Sequence, residues 1–148
     1  MRTGPQPPPT SSEGPILFFD APCGWCRGWT GWLARRAPHL LLAPLQGETA
    51  RCLLKNLQDG SPIPPNTLIL FQPGPEGGVE IHARALLGAL TLAGVGGAAG
   101  RMLWLTLARL PRGVLNPPYR LLSRHRQWLT PLAPACPLPD TSDPRLLP

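Results

Sequence analysis

The stretch Ile16-Leu17-Phe18-Phe19-Asp20-Ala21-Pro22-Cys23-Gly24-Trp25-Cys26 joins a short apolar run, a proline-broken turn and two cysteines three positions apart. Four consecutive apolar residues bounded by a turn signal predict a buried strand, Ile16 to Phe19. Pro22 interrupts the chain. A helical pattern begins at about Cys23, because Trp25, Trp29 and Trp32 recur at i, i+4 and i+7. The first cysteine therefore sits where unsatisfied backbone N–H groups and the positive end of a helix dipole both favour a negative charge. The thiolate is the reactive form of cysteine. Cys26, one turn further on, is placed to close a disulfide with Cys23, so strand, turn, Cys-x-x-Cys and helix together predict a dithiol redox site.

The remaining pattern predicts the frame around that site. Arg35 and Arg36 suit the last turn of the first helix, and Pro38 closes it. Leu40 to Leu45 predict a second strand, which Pro44 places at a sheet edge or ends. Gly47 to Leu57 predict a helix with Ala50, Leu53, Leu54 and Leu57 on one side, and Cys52 is expected to pack among them as a small hydrophobe. Thr67 to Phe71 and Val79 to Ile81 read as a strand pair, and Ala83 to Ala93 as a helix. The order β-α-β-α-β-β-α predicts an α/β fold, a thioredoxin-like mixed four-stranded sheet covered by helices. Two extra C-terminal helices are expected, at about Ala98 to Leu110 and Val114 to Leu129, separated by Pro111-Arg112-Gly113. The glycine run Gly94 to Gly100 follows a helix pattern rather than a strand, so it predicts a helix-connecting turn and not a dinucleotide loop.

Composition sets the limits. A chain of 148 residues suits one domain, and 43% apolar with 15% charged residues suits a packed core. The 22 prolines cluster toward the ends. Residues 1–14 are expected to form a disordered Pro-rich arm, 15–129 the folded domain and 130–148 a Pro-rich tail. No apolar leader precedes Ile16, and the run Ala85 to Gly100 is too short and too glycine-rich to span a bilayer. The expected compartment is the reducing cytoplasm, where four cysteines are more often free, catalytic or metal-bound than structural disulfides. The net charge of +6 comes mostly from arginines spread over several segments, which reads as a solvated surface, and no nucleic-acid motif accompanies it.

Asp20-x-x-Cys23-x-x-Cys26 after a first strand resembles the signature of the DCC family, the YuxK-like thiol-disulfide oxidoreductases. Phe18-Phe19-Asp20 leads into it, and Trp32-Leu33-Ala34-Arg35-Arg36 follows. Ala43-Pro44-Leu45-Gln46, Thr67-Leu68-Ile69-Leu70 and the segment Tyr119 to Arg126 are similar to the family's second strand end, third strand and closing Y-R-x-x-x-x-x-R element. The resemblance implies an enzyme that exchanges or reduces disulfides without a bound cofactor. Its substrate would be a disulfide-containing protein or a small-molecule thiol compound, and its electron donor is not specified. Thioredoxin-like oxidoreductases also place a proline before the third strand, facing the dithiol. Here Pro65 and Asn66 occupy that neighbourhood, and both are carried as substrate-binding candidates.

In this scheme Cys23 is the nucleophile and Cys26 the resolving thiol. Trp25 either contacts substrate at the site rim or belongs to a packed Trp25/Trp29/Trp32 face. Asp20 either relays a proton to or from Cys26 or caps the turn and helix, the cap being favoured. Arg120 and Arg124 share a helical face that is read as solvated. Two rivals remain, a Cys-x-x-Cys metal-handling protein and a non-catalytic thioredoxin-like binding module. His39, His82 and His125 form no ligand spacing with the cysteines, and Cys136 in the tail reads as a bystander, so no metal site is assigned.

Overall fold

The computed structural model describes residues 14–57, 67–74, 78–129 and 145–147. In chain order these form β1 (Ile16–Phe19), α1 (Gly24–Arg36), β2 (Leu41–Pro44), α2 (Glu48–Leu57), β3 (Ile69–Phe71), β4 (Val79–Ile81), α3 (Ala83–Leu92), α4 (Gly97–Ala108) and α5 (Arg112–Leu129). The fold is α/β, with one mixed sheet ordered β2-β1-β3-β4. β1 runs parallel to β2 and antiparallel to β3, and β3 pairs antiparallel with β4.

β1 is apolar throughout because both of its faces are covered. Leu17 and Phe19 point to one side, where they meet Leu33 and Ala34 of α1 and Ala85 and Ala89 of α3. Ile16 and Phe18 point to the other, where they meet Ala50 and Leu54 of α2. The two-residue alternation of a strand thus feeds two separate cores from one four-residue run. β2 lies at the sheet edge with Pro44 at its end, as the proline requires. That edge is not left open. Leu42 N–H donates to Arg145 O at 2.8 Å, Leu147 N–H donates to Leu42 O at 2.8 Å, and Arg145 Nη1 donates to Ala34 O at 2.9 Å. Residues 145–147 therefore cap the edge of β2, a covering that removes a template for unwanted strand pairing. The proline-rich composition of the tail carries no sign of this contact.

Three expectations need adjustment. β3 starts at Ile69 rather than Thr67, because Thr67 and Leu68 turn toward α3: Thr67 Oγ1 and His82 Nδ1 share a 2.8 Å hydrogen bond, and His82 N–H donates to Leu68 O. α4 ends at Ala108 and α5 starts at Arg112, so the separator keeps three residues but lies two positions earlier than expected, at Arg109 to Pro111. Cys52 is exposed rather than buried, since Ala50 and Leu54 at i and i+4 carry the inward face of α2 and position 52 falls off it.

Between α3 and α4 the chain turns on Gly94, Gly96 and Gly97, all at positive φ near 60–80°. Gly100 is required for closeness instead. A Cβ there would lie 2.1 Å from Val95 O, the carbonyl that also accepts Trp104 Nε1–H at 3.0 Å. Gly100→Ala, ordinarily a helix-stabilising change, is expected to destabilise by about 1–3 kcal/mol through overpacking. A thermal melt checks it, and an unchanged or raised midpoint would refute the close approach of α4 to the turn.

Candidate functional site

Cys23 is the N-cap residue of α1. Its backbone is extended (φ −83°, ψ 112°), and its sulfur accepts the Cys26 N–H at 3.3 Å. Its own N–H donates to Asp20 O at 3.2 Å, closing the turn from β1, and its carbonyl accepts the first full helical bond, from Arg27 N–H. A thiol thus occupies the position usually held by a serine or aspartate oxygen, with the helix's unsatisfied N–H groups behind it. Cys23 and Cys26 approach to 3.0 Å. Both are free thiols and half-buried.

The two sulfurs differ in surroundings. The Cys26 thiol is pushed up to about 12. Burial is the largest cause, followed by its hydrogen bond to the Cys23 side chain and the charge of Cys23, with Asp20 adding a smaller push and Arg126 opposing it. Burial and the neighbouring Cys23 thus favour the protonated form of Cys26.

Asp20 ends β1 and is 95% buried. Its carboxylate is held by two groups from distant elements: Gln46 Nε2 donates to Oδ1 at 3.0 Å, and Arg126 Nη1 on α5 lies 3.1 Å from Oδ2. The favoured cap role does not hold, because Cys23 itself caps α1 while the Asp20 side chain faces Gln46 and Arg126. Asp20 instead ties the last of the five described helices to the turn that carries the dithiol. A carboxylate this buried needs such a partner, since an unpaired charge in the interior is costly.

Beside Cys26 lies a cavity of about 340 Å³ between α1, α3, α4 and α5. Trp25, Trp29 and Trp32 form one wall, stacked edge to face with ring centroids 5.7 and 5.3 Å apart, and Arg36 lies 4.4 Å from the Trp32 ring. Trp104 of α4 and Leu122 of α5 face them. Trp25 is thus a member of the tryptophan stack, and it also lines the cavity. Polar groups in the lining are few: the Cys26 thiol, Thr30, Ser123, Arg126 and Tyr119. The Tyr119 hydroxyl lies within hydrogen-bond reach of the Leu68 backbone and Thr67, and burial, helped by the charge of Cys26, raises its ionisation above the usual phenol range. The His82 ring is 5.4 Å from the Tyr119 ring, and burial, with Arg120 nearby, lowers its proton affinity.

Pro65, Asn66 and Cys136 lie outside the described residues. Arg120 and Arg124 are exposed, as expected for a solvated face. The residues that sequence reasoning missed are Gln46, Arg126 and Tyr119 as members of the site. A signal for two of them was present: Tyr119 and Arg126 are seven positions apart, two helical turns, and so project from the same face of α5. Comparison of the chain with protein-family models, curated proteins and solved structures returned no match. No helix among the described residues is long and apolar enough to cross a membrane.

Proposed function

We propose that the protein is a thiol-disulfide oxidoreductase of the DCC type on a thioredoxin-like fold, working in the reducing cytoplasm. The observation that carries this reading is the asymmetric pair: a Cys23 sulfur that caps α1 and accepts an N–H, 3.0 Å from a Cys26 that keeps its proton. The sheet order and the placement of the dithiol at the first turn of α1 support the thioredoxin-like assignment.

In the proposed reaction the Cys23 thiolate attacks one sulfur of a substrate disulfide. A mixed disulfide forms, and the other substrate sulfur leaves as a thiolate that takes a proton from water. Cys26 then attacks the Cys23 sulfur, the mixed disulfide breaks, and the proton Cys26 gives up passes to the departing second substrate sulfur, so the Cys23–Cys26 disulfide forms and the second substrate thiol is released. Two electrons pass from the dithiol to the substrate, and an external dithiol reductant returns them. Asp20 lies close enough for its charge to act on Cys26. The apolar cavity beside Cys26 is where a bulky apolar group on the substrate would seat.

Reduction of insulin disulfides by the wild-type protein, against Cys23→Ser, tests this. The variant is expected to fall to the uncatalysed background. A second reading, a binding module that holds an apolar ligand in the same cavity without exchanging disulfides, is favoured by the tryptophan walls alone. Equal rates for wild type and Cys23→Ser would select it.

A further inference from the structure

From Ile81 to Pro139 the chain contains no aspartate or glutamate. Within that acid-free stretch α4 and α5 carry Arg101, Arg109, Arg112, Arg120 and Arg124, all exposed. Among the described residues no carboxylate lies within ion-pair distance of any of the five, the one such pair being Arg126 with Asp20. The same two helices also display large apolar side chains to solvent. On α5, Val114, Pro118, Leu121, His125 and Trp128 recur at i, i+4, i+7, i+11 and i+14, a single outward stripe. Leu121 is 60% and Trp128 83% exposed. Tyr119, Ser123 and Arg126 occupy the opposite, cavity-facing side of the helix, so this stripe is not the one that packs the domain. Arg124 and then Arg120 lie along one side of it, and Leu122 along the other. On α4, no residue is buried, and Met102, Leu103 and Leu105 stand out between Arg101 and Arg109.

A largely apolar stripe on the outer face of a helix whose charged residues are all cations is the pattern of a segment that lies in a membrane interface. We propose that α5, with α4 contributing, docks the protein onto an anionic lipid bilayer surface, with Trp128, Leu121 and Met102 entering the headgroup boundary and the exposed arginines facing lipid phosphates. The sign of the charge decides between occupants. A second copy meeting this face across a two-fold axis would set arginine against arginine, with no carboxylate of the described residues to pair them. An anionic leaflet supplies the missing charge and a fluid that accepts isolated side chains such as Trp128 without a pre-shaped pocket. The helices are too short or too polar to span, so the contact is peripheral. The inference does not depend on the dithiol chemistry, and its test requires no turnover.

The test is co-sedimentation of the full chain with two vesicle types, one of zwitterionic lipid alone and one in which about a third of the lipid is anionic. Binding is expected only to the second. It should weaken strongly as salt rises from about 0.1 M to about 1 M, where the screening length falls from about 10 Å to about 3 Å. The triple exchange Arg101→Gln, Arg109→Gln, Arg124→Gln should weaken it roughly 100-fold, and Trp128→Ala about tenfold. These side chains are exposed, and far-ultraviolet circular dichroism confirms that each variant keeps its fold. Failure to sediment with anionic vesicles, or equal binding to both types, overturns the proposal. So does a dimer that Trp128→Ala dissociates. Polyglutamate that displaces the protein from vesicles and binds Trp128→Ala as tightly as wild type would also overturn it, assigning the face to an acidic polypeptide instead.

Discussion

At about pH 8, iodoacetamide is expected to alkylate Cys23 and leave Cys26 almost unmodified in the folded protein. Burial and the neighbouring Cys23 push the Cys26 thiol well above the usual thiol range, so only a small minority of molecules carries it as a thiolate at that pH. Cys23 caps the helix, with its sulfur accepting the Cys26 N–H and half-exposed to reagent. Peptide mapping after a short pulse reads the ratio directly. The same asymmetry predicts that Cys26→Ser still attacks a substrate disulfide but cannot resolve it, so a mixed disulfide through Cys23 accumulates and is released by added reductant. Preferential labelling of Cys26, or trapping through Cys26 in a Cys23→Ser protein, would reverse the assigned roles. The raised Cys26 also has a stability signature. In the unfolded chain it ionises near 9.0, whereas the folded protein holds the proton to about 12. Between those values the unfolded state binds fewer protons, so stability falls as pH rises through this window and is fully present below it. Tyr119, raised in the same direction, adds to the loss above its ordinary value of 10.0. Urea midpoints for wild type and Cys26→Ala should converge as pH rises from about 8 to about 11.

Arg126→Ala is expected to cost about 3 kcal/mol, within the range for removing one partner of a buried ion pair. The cost is asymmetric in origin. The substitution leaves the Asp20 carboxylate, 6% exposed, without its cation, and only the Gln46 amide still donates to it. That remaining bond places the loss toward the lower end of the range. A loss below about 1 kcal/mol in a urea titration would mean that the pair behaves as a surface ion pair and does not anchor α5. Asp20→Asn combined with Arg126→Met should recover part of the loss, because no uncompensated charge is then buried. The site should respond as well. Removing Arg126 takes away the positive charge that lowers the Cys26 thiol, so Cys26 moves further up, and release of a trapped substrate should slow in the same variant.

The local part of this protein is legible in its sequence. Ile16 to Phe19 is uniformly apolar because the strand is buried on both faces, and Pro22 with the tryptophan spacing sets the helix start that puts Cys23 at the cap. Those are short-range consequences of backbone sterics and hydrophobic period, decided within about a dozen residues. The apolar face assigned to α2 holds, with Ala50 and Leu54 inward, and Cys52, two positions from each, lies off it and is exposed. What the sequence could not decide is what meets the turn from afar. Asp20 has no local partner, and its ion pair spans the chain to Arg126, its amide bond to Gln46. The edge of β2 is likewise closed by Arg145 to Leu147, and the cavity exists only because α1, α3, α4 and α5 converge. Periodicity reports which face of a helix is apolar, but burial of a charge is satisfied by whichever opposite group the packed tertiary structure brings within reach. Dithiol placement was therefore a property of the local sequence, whereas the raised proton affinity of Cys26 was set by the packing that buries it.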